Sequence, residues 1–131
     1  MTNKELFTTY REVVLDLQEL SSQLEKAGRD GRPQGVGTPQ TEPGRRTNDA
    51  MAAAMQAMDG IGEMLERKRD ELAGLAGPVS ALMSRIGDAK TFLVIQRYYL
   101  MGKTDSAIAS DLCISRARVN QIRNNYFAQI C

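Results

Sequence analysis

Apolar residues near the start of the chain recur at helical spacing. Leu6, Tyr10, Val13, Leu17, Leu20 and Leu24 step by four, three, four, three and four, with Glu5, Arg11, Glu12, Asp16, Glu19 and Glu25 off that line. This heptad seam predicts one long amphipathic helix from about Asn3 to Lys26. A seam so narrow is not stable alone and calls for a second helix. Met51, Met55, Met58, Gly62, Leu65, Leu72 and Leu75 or Ala76 supply one, capped by Thr47 or Asn48, with Arg69 snorkelling at one break. The methionines read as core; a peptide-binding groove of adaptable thioethers is the alternative. Gly60, Gly62, Gly74 and Gly77 each weaken this helix by roughly 1 kcal/mol relative to Ala. Between the two helices, Gly28–Arg46 holds five glycines and three prolines and reads as a flexible linker.

Pro78 follows Gly77 and suits the first position of a new, short helix ending near Ile86. Gly87 and Asp88 break and recap the chain. A third longer helix from about Asp88 to Met101 would bury Phe92, Leu93, Ile95 and Tyr99, and Gly102 would end it. Thr104 then caps a helix whose buried face is Ile108, Ala109 and Leu112, with Asp105 beside its positive end. After a tight turn, Ser115 caps a last helix held down by Val119, Ile122 and Tyr126. The expected fold is all-α: a long antiparallel helical hairpin followed by a C-terminal helix-turn-helix. Its parts are residues 1–27 (first helix), 28–46 (linker), 47–87 (second long helix and short helix) and 88–131 (helix-turn-helix).

The chemistry concentrates in that last helix. Its free face presents Arg116, Ala117, Asn120, Gln121 and Asn124, with Arg118 and Arg123 on the flanks and no carboxylate anywhere in the helix. Arginine pairs bidentately with guanine, and Asn or Gln with adenine, so such a face suits base edges as well as phosphate. Lys103, Thr104 and Ser115, at the starts of the two helices, complete the candidate DNA-binding set.

The net charge of +1 over 131 residues hides an uneven distribution. Residues 1–25 carry two basic and five acidic groups, whereas residues 88–131 carry six and three, so the basic end is the one that bears the recognition face. With no histidine and only two cysteines, Cys113 and Cys131, a His/Cys zinc site and a histidine-dependent triad are excluded. No nucleophile–base pair or phosphate-cradling loop emerges, so neither enzymatic activity nor a cofactor is expected. The two cysteines read as reduced thiols. The N-terminal segment has no long apolar run, so no membrane association is expected and a cytoplasmic location is.

Arg97-Tyr98-Tyr99-Leu100, Gly102-Lys103-Thr104, Ile108-Ala109, Leu112 and Ser115 through Ile122 resemble region 4 of bacterial sigma-70-type factors over about residues 88–128. The full layout is similar to small phage and prophage proteins such as the ArpU/RinA-type late-gene regulators. The resemblance implies that the last helix reads promoter DNA, that Arg116, Arg118, Asn120 and Gln121 touch bases and phosphates, and that RNA polymerase is a partner. Ala117 stands where sigma factors commonly place a base-reading Glu, so a different target from the standard −35 element is expected. Ala107 replaces their usual first-turn Glu, and Cys113 their usual turn Gly. No counterpart of the promoter-melting region is present.

The leading expectation is therefore a sequence-specific, double-stranded-DNA-binding transcription regulator, with the hairpin serving for homodimerisation or polymerase docking. A polymerase- or sigma-binding module without DNA affinity is one alternative. A DNA-packaging adaptor of the small-terminase kind is the other.

Overall fold

A computed structural model describes residues 2–31 and 45–130. All regular structure among them is helical: α1 (Asn3–Gly31), α2 (Arg45–Met83), α3 (Ala89–Ile95), α4 (Asp105–Leu112) and α5 (Arg116–Ile130). The expected all-α class is the observed one. Two boundaries differ from expectation at the linker. α1 continues through Gly31 and α2 begins at Arg45, so neither Thr47 nor Asn48 is the capping residue, and only 32–44 of the expected linker lie outside the described residues.

The chain divides into two compact units, one formed by 1–16 with 70–131 and the other by 17–69. This cuts across the expected parts. The first turns of α1 and the last turns of α2 belong with the C-terminal helices, not with a separate hairpin. The physical reason is aromatic packing. Phe7, omitted from the heptad seam, is fully buried among Tyr99, Tyr126 and Phe127, with ring centroids 5.6, 5.9 and 5.7 Å away. Asn3 fastens the same helix by donating from Nδ2 to the Ile130 carbonyl at 3.1 Å.

Pro78 does not restart a helix; it lies inside α2, which runs unbroken to Met83. An interior proline costs about 3 kcal/mol. The next turn of the helix carries Val79 and Met83, 1% and 5% exposed in the same core. Burying those two side chains contributes roughly 1.5–3 kcal/mol each, which offsets the proline.

The core of this larger unit has two clusters. Phe7, Val79, Met83, Ile95, Tyr99, Tyr126 and Phe127 form one. Val94, Ile108, Ala109, Val119 and Ile122 form the other. α3 sits between them, so the adjacent Val94 and Ile95 are both fully buried; the expected Phe92 and Leu93 are half-buried. After Ile95 the helix widens into a π turn, Gln96–Leu100, closed by Met101 N–H donating to the Gln96 carbonyl. Gly102 then takes φ 70°, and Lys103 N–H donates back to Arg97, a Schellman ending in which a side chain at Gly102 would be strained.

In the smaller unit, Leu17, Leu20 and Leu24 are half-buried and Leu65 is buried. Of the methionine stripe, Met51 and Met55 are 41% and 62% exposed and only Met58 is half-buried. Among the described residues no helix is long and apolar enough to cross a membrane.

Candidate nucleic-acid interface

α4 and α5 are joined by three residues, each with a local reason for its conformation. Thr104 Oγ1 accepts from Ala107 N–H at 3.2 Å and starts α4, with Asp105 in the first turn. Cys113 ends α4 in the left-handed region at φ 56°, ψ 43°. Its N–H donates to the Ala109 and Ser110 carbonyls, and Ile114 N–H also donates to Ala109. Ile114 packs against the second core cluster, the apolar contact that accompanies such an ending. Ser115 Oγ then accepts from Arg118 N–H at 3.0 Å and starts α5. Val119 (0% exposed), Ile122 and Tyr126 (6% each) anchor α5 on the core.

With that face committed, the other is free. Arg116, Ala117, Arg118, Asn120, Gln121 and Asn124 are all exposed, and α5 contains no acidic residue. Arg118 Nη1 donates to Gln121 Oε1 at 2.8 Å, so these two groups are presented together. Arg116, Ala117 and Asn120 border an open depression whose other side is Thr104, Asp105 and Ser106 of α4. A strip of donors and amide groups from two helices is thereby exposed on one surface.

Four of the expected site residues also make contacts within the fold. Arg123 turns inward: only 13% of its side chain is exposed, Nη2 donates to both Asp105 carboxylate oxygens at 3.0 and 2.9 Å, and the guanidinium lies 3.9 Å over the Tyr98 ring. Burial alone would lower its pKa, but the Tyr99 side chain and Asp105 outweigh it and the pKa lies above its ordinary value. Burial pushes the Tyr99 hydroxyl up. Thr104 and Ser115 use their hydroxyls as caps. Lys103 is exposed enough to reach a ligand, but its Nζ donates to Asp111 at 2.8 Å, and that carboxylate is also 3.8 Å from Arg97. The Lys103 hydrogen bond holds the Asp111 carboxyl below the usual aspartate range.

Arg11 is the residue that periodicity missed. It reads as a solvated off-seam charge, yet its guanidinium lies 3.9 Å from the Tyr98 ring centroid, and Nη1 donates to the carbonyls of Tyr98 (2.6 Å) and Lys103 (3.2 Å). Arg11 and Arg123 thus both stack on Tyr98, which ties α1 to α5. Nothing local in the sequence announces it, because the partners lie 87 and 92 residues away.

Cys113 is a free, exposed thiol; Cys131 lies outside the described residues. Among the described residues no three Cys, Asp or Glu side chains converge to hold a metal ion. Compared with family models, curated proteins and solved structures, the chain finds no match.

Proposed function

We propose that this protein binds double-stranded DNA in a sequence-specific manner as a transcription regulator, with α5 as the recognition helix in the major groove. One observation carries the reading: the exposed face of α5 offers Arg116, Arg118, Asn120, Gln121 and Asn124 without a single carboxylate. The capped start of α4 and the three-residue turn are what a helix-turn-helix requires to seat that face. Arg116 and Arg118 supply phosphate and guanine contacts, while Asn120 and Gln121 supply adenine contacts. A single module of this kind buries only about 600–1,000 Å² on DNA, which favours a homodimer or a polymerase partner for tight binding.

The test is a gel-shift titration on a DNA fragment selected by the wild-type protein, repeated over a range of salt. Arg116→Ala combined with Arg118→Ala removes two cations and should reduce the slope of log K against log salt by about 2. Affinity should fall to the level of unselected DNA. Unchanged affinity and slope in a folded double variant would refute the assignment.

A further inference from the structure

A second site lies beside the recognition face. Among the described residues, Arg97 and Lys103 share Asp111 and Arg123 pairs with Asp105. Arg85, Lys90 and Arg118 form no ion pair among the described residues. All three line one groove of about 520 Å³ between α5 and the corner joining α2 to α3. Deeper in it lie the buried Ile122 and Tyr126 and the half-buried Leu82, Ile86 and Ile130, with the exposed amides Asn125 and Gln129 at the edge. Asp88 is the one acidic residue of the lining; its carboxylate is engaged by the N–H (3.0 Å) and hydroxyl (2.7 Å) of Thr91 and is also felt by the neighbouring Lys90, which leaves the cations in excess.

Three cations against the single Asp88 carboxylate leave the groove with surplus positive charge that a bound anion would relieve; its exposed lining is mostly polar, with aliphatic side chains at the floor. Phosphate backbone alone would satisfy the cations but has no use for the half-buried Leu82, Ile86 and Ile130. A purely apolar ligand would leave the cations unmet. The volume falls within the roughly 300–1,000 Å³ of small-molecule pockets. We propose that this groove binds a small amphipathic organic anion, an apolar body bearing a carboxylate, phosphate or sulfonate group, with Arg85, Lys90 and Arg118 holding the anionic head. Because Arg118 also belongs to the exposed face of α5, an occupied groove withdraws it from DNA and weakens DNA binding. This second consequence rests on the DNA-binding reading; the site itself does not.

The full chain is titrated with anilinonaphthalene sulfonate, followed by fluorescence, and decanoate is used as competitor. Saturable 1:1 binding is expected, displaced by decanoate, with methyl shifts in NMR spectra at Leu82, Ile86, Ile122 and Ile130. Arg85→Ala with Lys90→Ala, both exposed and safe for folding, should weaken both anions at least about tenfold, the scale of losing charge-assisted contacts. Binding of the uncharged N-phenyl-1-naphthylamine should change less than about twofold in the same variant, since its apolar contacts are intact. Unchanged anion affinity in the double variant would overturn the site, as would methyl shifts confined to other regions. So would a double variant that loses DNA affinity while keeping anion affinity, because the groove cations would then serve the DNA. If decanoate binds as expected and no DNA is retained at low salt, the site stands and the DNA reading fails.

Discussion

Replacing Cys113 by glycine isolates the turn between α4 and α5. Among the described residues, Cys113 is the one non-glycine with positive φ, at 56°. An L side chain in that region costs roughly 1–2 kcal/mol, which glycine does not incur. Glycine also widens the unfolded ensemble, which takes back about 0.4–1 kcal/mol. The thiol itself contributes little, since it is exposed and its Sγ is 4.0 Å from the Ser110 carbonyl oxygen. The backbone N–H bonds of the turn survive the change. The net expectation for Cys113→Gly is a gain of roughly 0.5–1 kcal/mol. For a unit of this size that raises Tm by roughly 2–8 °C. Tyrosine fluorescence is a clean reporter, because there is no Trp and Tyr10, Tyr98, Tyr99 and Tyr126 all lie in the larger unit. Cys113→Ala is the control: it keeps the strain and should stay within about 0.5 kcal/mol of wild type. A loss of stability in the glycine variant would refute the turn, and so would an equal gain in the alanine variant, which would locate the cost in the thiol.

Phe7→Ala should destabilise the larger unit by roughly 3–5 kcal/mol, the range for a buried aromatic, in urea titrations read by tyrosine fluorescence. An effect below about 1 kcal/mol would detach α1 from the core. Arg123→Ala should lower stability by roughly 1–3 kcal/mol through loss of the Asp105 pair and the Tyr98 contact, whereas Arg116→Ala should leave the melting curve unchanged and act only on DNA affinity. Asp88 carries a pH signature. Hydrogen bonds from the Thr91 side chain and backbone hold its pKa below the usual value in the folded state. A depressed folded pKa stabilises above the unfolded value of about 3.9 and loses that contribution as pH falls through the folded one. Asp88→Ala should therefore melt below wild type at pH 7, and the gap should narrow as pH falls below about 4. A gap that stays constant would dissociate the cap from the carboxylate's charge.

What could be read from the chain was set by contacts within a few residues. Thr104, Ser115 and Gly102 act through partners three to six positions away, and the left-handed strain at Cys113 is equally local. The Val119–Ile122–Tyr126 stripe is likewise a property of one helix. Other features depend on partners from distant parts of the chain. The heptad seam selected Leu6 and Tyr10, but Phe7 is the more deeply buried, because helices α3 and α5 close over a different side of α1. Pro78 is tolerated because of what Val79 and Met83 touch. Met51 and Met55 have the spacing of core residues and remain exposed, since spacing specifies a face and not the presence of something to cover it.

The arginines show the same distinction and give it functional weight. By composition Arg11, Arg85, Arg97, Arg116, Arg118 and Arg123 are alike. In the fold, Arg11 and Arg123 stack on Tyr98, and Arg97 faces Asp111. These three hold helices together. Arg85, Arg116 and Arg118 remain on the surface without an ion pair among the described residues. Only cations of this second kind have charge to offer a ligand, because a paired guanidinium must break its own contacts first. Counting all basic residues of residues 88–131 as binding charge therefore overstates the electrostatic footprint. Under the proposed DNA-binding role, salt dependence should reflect the surface cations alone, and the stacked pair should show itself in stability.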